Sequence, residues 1–162
     1  MDKQLFDASL LNKIGKRLLA KGQTIAVAES VTSGLIQFAL SSMENAEKFY
    51  HGGVTAYNIA QKFKHLNVEP IHALECNCVS QKIADEMAIN VSADFNSDWG
   101  IGITGYATPV PESEHKVFAF YAISFQQTIM TAGKMDSIKT VPPGPQISYV
   151  NAVLEVLKEL LA

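Results

Sequence analysis

Strand-length apolar runs alternate with helix-length amphipathic stripes along this chain, and that alternation constrains its fold more than any other feature. Thr24-Ile25-Ala26-Val27-Ala28 is too short for a stable helix and reads as a strand buried on both faces. Before it, over Asp7–Lys21, Leu11, Ile14 and Leu18 recur at helical spacing, with Leu10 and Leu19 widening the stripe. Lys16, Arg17 and Lys21 crowd the end of that helix, where the macrodipole favours positive charge, and Gly22 is its stop. After the strand, the polar turn Glu29-Ser30-Val31-Thr32-Ser33-Gly34 leads into a second helix that runs to about Ser42.

The pattern continues to the end of the chain. His51-Gly52-Gly53 reads as a break before a strand at Val54-Thr55-Ala56-Tyr57, and Ile59–Leu66 as a short helix. Ser80 is positioned to cap a helix whose Ile83, Met87, Val91 and Phe95 share one face. Trp99–Thr104 is a strand ending at Gly105, and Thr108-Pro109-Val110-Pro111 is a loop. Val117–Phe125 and Thr128–Val141 read as two strands joined near Gln126-Gln127, an antiparallel pair. Pro142-Pro143-Gly144-Pro145 opens a last helix with Val150, Leu154, Leu157 and Leu161 as its stripe. The expected fold is α/β, a three-layer sandwich with a mixed, mostly parallel sheet flanked by helices, formed by residues 1–162 as one domain.

Composition narrows the partners. The net charge is −3 and the sequence pI about 5.8, so no positive field awaits a nucleic acid. Phe118, Phe120 and Tyr121 stand at strand spacing and read as core rather than as a stacking platform. Leu35–Leu40 and Val117–Phe125 are too short to span a bilayer, and Met1-Asp2-Lys3-Gln4 lacks the start of a secretory signal. Cys76 and Cys78 form a C-x-C pair, not the C-x-x-C of zinc and redox sites. They read as reduced thiols, so the expectation is a cytoplasmic protein with no metal and no cofactor.

The polar turn after the first strand is the candidate site, because ligands in open α/β sheets bind at the carboxyl ends of strands. Ser30 falls there, at a helix start whose backbone N–H groups favour a developing oxyanion. A serine so placed is either a helix cap or, given a base, a nucleophile. His51, His65, His72 and His115 lie in no motif of known mechanics. Lys62 is the alternative base: a desolvated lysine loses its proton more readily and forms Ser–Lys pairs. Taken alone, a lysine on a short helix is a solvated surface residue.

Larger stretches carry a resemblance. Ala28-Glu29-Ser30-Val31-Thr32-Ser33-Gly34 resembles the A-E-S-C-T-G-G signature of the CinA C-terminal domain family, the competence/damage-inducible proteins. Gly52-Gly53-Val54-Thr55-Ala56-Tyr57 with Lys62 is similar to that family's G-G-V-V-A-Y-S-N-E-A-K. Cys78-Val79-Ser80 with Asp85-Glu86-Met87-Ala88, then Gly102-Ile103-Thr104-Gly105-Tyr106-Ala107-Thr108-Pro109, then Pro143-Gly144, follow in the family's order over nearly the whole chain. The resemblance implies a compact α/β domain, found alone or fused behind another. Its active members are amidohydrolases that convert nicotinamide mononucleotide to nicotinate mononucleotide and ammonia in pyridine nucleotide salvage. By position it implies Ser30 as nucleophile and Lys62 as its base. Glu29, Thr32, Ser33, Gly34, Tyr57, Thr104 and Gly105 would bind substrate, with backbone donors near Thr32–Gly34 holding the oxyanion. A small-molecule substrate and self-association into a homo-oligomer are implied as well.

The sequence departs from that pattern where a phosphate would be held. Ser33 replaces a glycine, and Asn58-Ile59-Ala60-Gln61 replaces S-N-E-A. Thr108-Pro109-Val110-Pro111-Glu112 replaces a glycine-rich G-P-G-G-G stretch, and Gln146 stands where an arginine is expected. Proline donates no N–H, and glutamate repels phosphate. Two readings follow: an amidohydrolase with an altered substrate, or a catalytically silent domain serving as a binding or assembly module.

Overall fold

A computed structural model describes residues 4–162; Met1–Lys3, and with them most of the N-terminal stretch read for a secretory signal, lie outside the described residues. The first helix, α1 (Ala8–Lys21), begins one residue later than its stripe suggests, because Asp7 is its cap and accepts hydrogen bonds from the N–H groups of Ser9 and Leu10. Gly22 ends it in the left-handed conformation, φ 62°. The chain continues as β1 (Ile25–Glu29), α2 (Leu35–Ser41), a short 3-10 turn, β2 (Tyr50–Thr55) and α3 (Ile59–Leu66). Then come α4 (Pro70–Glu75), α5 (Gln81–Asp94), β3 (Trp99–Gly105), a second 3-10 turn, β4 (Phe118–Phe125), β5 (Thr128–Asp136) and α6 (Gly144–Leu160).

The five strands form one mixed sheet in the order β2-β1-β3-β4-β5. The ladders of β1 with β2 and β3 are parallel, and those of β4 with β3 and β5 are antiparallel. Four of the five strands therefore point the same way, and helices cover both faces.

Strand alternation assigns the faces. Ile25, Val27, Trp99, Ile101 and Ile103 join Leu10, Ile14, Leu18, Val150, Val153, Leu154 and Leu157 in the larger core, under α1 and α6. Ala26 and Ala28 face the other way, toward Ile83, Met87 and Val91 of α5. That second face is built from small residues, and α5 lies close on it. A Cβ added at Gly100 would stand 2.1 Å from the Ala88 carbonyl oxygen, and one at Gly102 2.2 Å from that of Ala84. This close seat brings the turn before α5 against the carboxyl ends of β1 and β3.

Three elements differ from the sequence reading. His51-Gly52-Gly53 does not break the chain; it lies within β2, with Gly52 and Gly53 opposite Ala26 and Val27. Glycine signals a break by composition, but a Cβ at Gly53 would stand 2.5 Å from the Val27 carbonyl oxygen and 2.8 Å from the Gln37 amide of α2, so the strand needs its bareness. Thr128–Val141 is strand only to Asp136; Ile138 and Val141 beyond it are apolar but 99% and 73% exposed. Finally α4 lies where no helix is expected, started by Pro70 and capped by Glu69.

Candidate active site

Because β1, β2 and β3 are parallel, their carboxyl ends open on one edge, and a cleft of about 650 Å³ lies there. Ser30 and Val31 line it from the end of β1, and Thr104 and Gly105 from the end of β3. Tyr57, Asn58 and Lys62 come from the start of α3, Cys78 from the turn before α5, and Gln146 from the first turn of α6.

Lys62 is the most unusual group in this cleft. Lys62 and Leu66 stand one helical turn apart on the inward face of α3, at 2% and 0% exposure, while Phe63 beside them is 52% exposed. The ordinary preference is inverted: a lysine is buried and a phenylalanine is left in water. Lysines are rarely buried unless paired. Among the described residues no carboxylate forms an ion pair with Lys62, and no hydrogen bond holds its Nζ. Burial lowers its pKa below the ordinary lysine value, opposed by the nearby Cys78 sulfur. The Cys78 thiol is pushed up, again by burial, with the Lys62 ammonium acting against the rise. Burial thus makes the amine easier to deprotonate, the direction a base requires.

Ser30 is 5% exposed. Its Oγ lies 3.4 Å from both Thr104 Oγ1 and the Ile103 carbonyl oxygen, long contacts that leave the hydroxyl loosely held. The Thr104 hydroxyl donates to the Cys78 carbonyl oxygen at 2.6 Å, so toward Ser30 it acts only as an acceptor. No hydrogen bond joins Ser30 Oγ to Lys62 Nζ, though both line the cleft.

The nine residues singled out from the sequence divide into two groups. Ser30, Lys62, Tyr57, Thr104 and Gly105 line the cleft, with Tyr57 68% exposed at its mouth. Glu29, Thr32, Ser33 and Gly34 do not line it. Glu29 is fully buried, and its carboxylate accepts from Thr32 Oγ1 at 2.5 Å, Gln37 N at 2.9 Å and Ile36 N at 3.2 Å. It therefore closes the N-terminus of α2, which lacks any side-chain cap of its own, and leaves no oxygen aimed at a substrate. The Ser33 N–H is used by the Ser30 carbonyl oxygen. The N–H of Val31 borders the cleft and makes no backbone hydrogen bond, and the same holds for Ile59 and Ala60 at the start of α3.

Sequence reasoning passes over Asn77, Cys78 and Tyr106, which also line the cleft. Asn77 and Cys78 hold φ of 52° and 60°, and this left-handed pair turns the chain toward the sheet end. A β-carbon at φ > 0 is uncommon, and nothing local announces it at a cysteine. Gln146, noted as a departure, lines the cleft, and its Oε1 is shielded from solvent with no hydrogen-bond partner, at a cost of about 1–3 kcal/mol. Among the described residues no group of three histidine, cysteine, aspartate or glutamate side chains is placed to hold a metal, and no helix is long and apolar enough to cross a membrane.

Comparison with known proteins places this arrangement in a family. The profile of the CinA C-terminal domain matches residues 7–161. A competence-damage inducible relative from Natranaerobius thermophilus is 34% identical over 154 residues, covering 95% of this chain and 36% of that protein. A CinA-like protein from Synechocystis is 37% identical over 108 residues, 67% of this chain and 26% of that protein. The chain thus spans about a quarter to a third of the length of the curated relatives it matches. Among solved structures, the competence-damaged protein (CinA) superfamily protein from Enterobacter cloacae superposes with a TM-score of 0.90 at 25% identity, covering 100% of this chain and 96% of that one. The competence or damage-inducible protein from Enterobacter asburiae has the same fold, with a TM-score of 0.88 at 24% identity, covering 94% and 96%. Sequence profile and relatives agree over nearly the whole domain: the chain belongs to the CinA C-terminal domain family.

Proposed function

We propose that this protein is an amidohydrolase, cleaving the carboxamide of nicotinamide mononucleotide or a related small amide with Ser30 as nucleophile and Lys62 as base. The observation that carries the reading is the buried, unpaired Lys62 in the same cleft as Ser30. Burying a charge without a partner costs stability, and a site that needs a neutral amine accounts for a cost that a structural role does not.

In this reading the amide carbonyl sits over Ser30. Lys62 Nζ accepts the hydroxyl proton as Oγ bonds to the carbonyl carbon, and the Val31 N–H stabilises the oxyanion. The Lys62 ammonium then returns the proton to the leaving nitrogen, ammonia departs, and an ester on Ser30 remains. Water attacks the ester and gives its proton to Lys62, and the carboxylate leaves as Ser30 regains its hydrogen. Ser30 must first turn away from Thr104 and Ile103, which is undemanding because both contacts are long. Thr104 keeps the Cys78 turn in place through its 2.6 Å hydrogen bond.

The test is ammonia release from nicotinamide mononucleotide and from simpler pyridine carboxamides. Wild-type protein turns over; Ser30→Ala and Lys62→Ala lose about 10²-fold or more. No turnover by wild type at high protein concentration on any of these amides sinks the reading. It would favour the alternative, a silent binding or assembly module. The observation behind that alternative is that Ser30 is hydrogen-bonded toward Thr104 and Ile103 and not toward Lys62. Action on a small-molecule substrate, in the cytoplasm and as a homo-oligomer, belongs to the same proposal.

A further inference from the structure

The cleft offers many hydrogen bonds and almost no charge. Beyond Ser30 its polar lining includes Asn58, Asn77, Tyr106, Thr108 and Gln146, and among the described residues Lys62 is the only charged one that lines it. Lys62 is 2% exposed, and the amidohydrolase reading already uses it as the base. The chain contains a single arginine, Arg17, and its guanidinium is bound to the Lys158 carbonyl oxygen at 2.6 Å, between α1 and the end of α6. No arginine is therefore free to clamp a phosphate bidentately at the cleft.

Backbone donors make up part of the loss at the start of α3, where the N–H groups of Ile59 and Ala60 line the cleft without a backbone hydrogen bond, whereas the start of α6 and the loop after β3 offer few. At the start of α6, Pro142, Pro143 and Pro145 have no N–H, and the Gly144 N–H is taken by the Val141 carbonyl oxygen. Two more prolines, Pro109 and Pro111, thin the donors of the loop after β3. At this wall stands Gln146, whose shielded amide oxygen has no partner in the protein. An amide that turns outward to meet a ligand hydroxyl or N–H gains a hydrogen bond it otherwise lacks. It gains nothing comparable from a phosphate dianion, which needs donors and positive charge.

We propose that the cleft selects a hydroxyl-bearing carboxamide without a phosphate, a nucleoside-like amide rather than a nucleotide, and that Gln146 is the residue that reads its distal end. This rests on the amidohydrolase reading for the identity of the reacting group, but the selection is a matter of binding and is tested without turnover. The experiment is calorimetric titration of the Ser30→Ala protein with nicotinamide riboside and with nicotinamide mononucleotide. The riboside is expected to bind at least as tightly as the mononucleotide. Gln146→Leu weakens the riboside about fivefold or more, and Gln146→Arg shifts the ratio about tenfold toward the mononucleotide. A mononucleotide bound tenfold more tightly than the riboside overturns the inference, as does failure of both to bind at millimolar concentration. If the riboside binds as expected and the wild-type protein releases no ammonia from it, the hydrolytic chemistry fails while the selection stands.

Discussion

Replacing Lys62 by methionine removes the one buried, unpaired ammonium in the cleft and leaves a chain of similar length against Leu66 and the α5 face. The account predicts a protein that is more stable and nearly inactive. Burial lowers the Lys62 pKa in the folded state below its ordinary 10.5. Below the lowered value the amine is charged in both states, and the folded protein bears the whole desolvation cost. As pH rises from that value toward 10.5 the folded state releases its proton first, the cost fades, and wild-type stability climbs. Each pKa unit of lowering corresponds to about 1.4 kcal/mol. For a chain of this size that is a gain of about 3–6 °C in Tm per unit. Lys62→Met should therefore melt above wild type at pH 7, with the gap narrowing toward pH 10.5, while amide turnover falls about 10²–10⁴-fold. Paired thermal melts between pH 7 and 10.5 read the gap directly. A variant less stable than wild type at pH 7, or a gap that does not change with pH, refutes the claim that the amine is held at a cost.

Three further outcomes follow from the surroundings of the cleft. Glu29→Gln keeps the shape of a fully buried side chain but weakens three charge-assisted hydrogen bonds at the start of α2; denaturant unfolding should show a loss of about 1–3 kcal/mol. Gly102→Ala places a Cβ 2.2 Å from the Ala84 carbonyl oxygen and must push α5 off the sheet, for a loss of about 3 kcal/mol or more in the same assay, together with any activity that depends on the Cys78 turn. Ser33 holds φ 51°, so Ser33→Gly should raise stability or leave it unchanged, within about 1 kcal/mol, and a loss larger than that would show that the Ser33 side chain has a role the structure does not reveal.

The parts of this fold that could be read in the sequence are those governed by periodicity. The helices α1, α5 and α6 announce themselves because their apolar stripes are the faces that pack, and Ser80 caps α5 as its position suggests. Gly52 and Gly53 mislead because composition cannot distinguish a glycine that ends a strand from one that lets a helix approach it. The six residues of α4 bury only Ala73, too little to make a stripe. The site shows the same division. Ser30 is legible as a serine just past a strand end, whereas the burial of Lys62 shows only through its partner Leu66 one turn away. The role of Glu29 depends on the N–H groups of Ile36 and Gln37, which a residue-by-residue reading does not connect to it. Cys78 reaches the cleft through a backbone conformation that its sequence does not signal.

Cys78 also makes the decisive measurement specific, because its thiol lines the cleft too and sits close enough to Lys62 to perturb it. Rapid acid quench of the protein during turnover of a pyridine carboxamide, followed by peptide mass mapping, locates the acyl group. The account predicts an acyl ester on Ser30, absent from Ser30→Ala and retained in Cys78→Ala. An adduct on Cys78, or ammonia release that persists in Ser30→Ala, would contradict it.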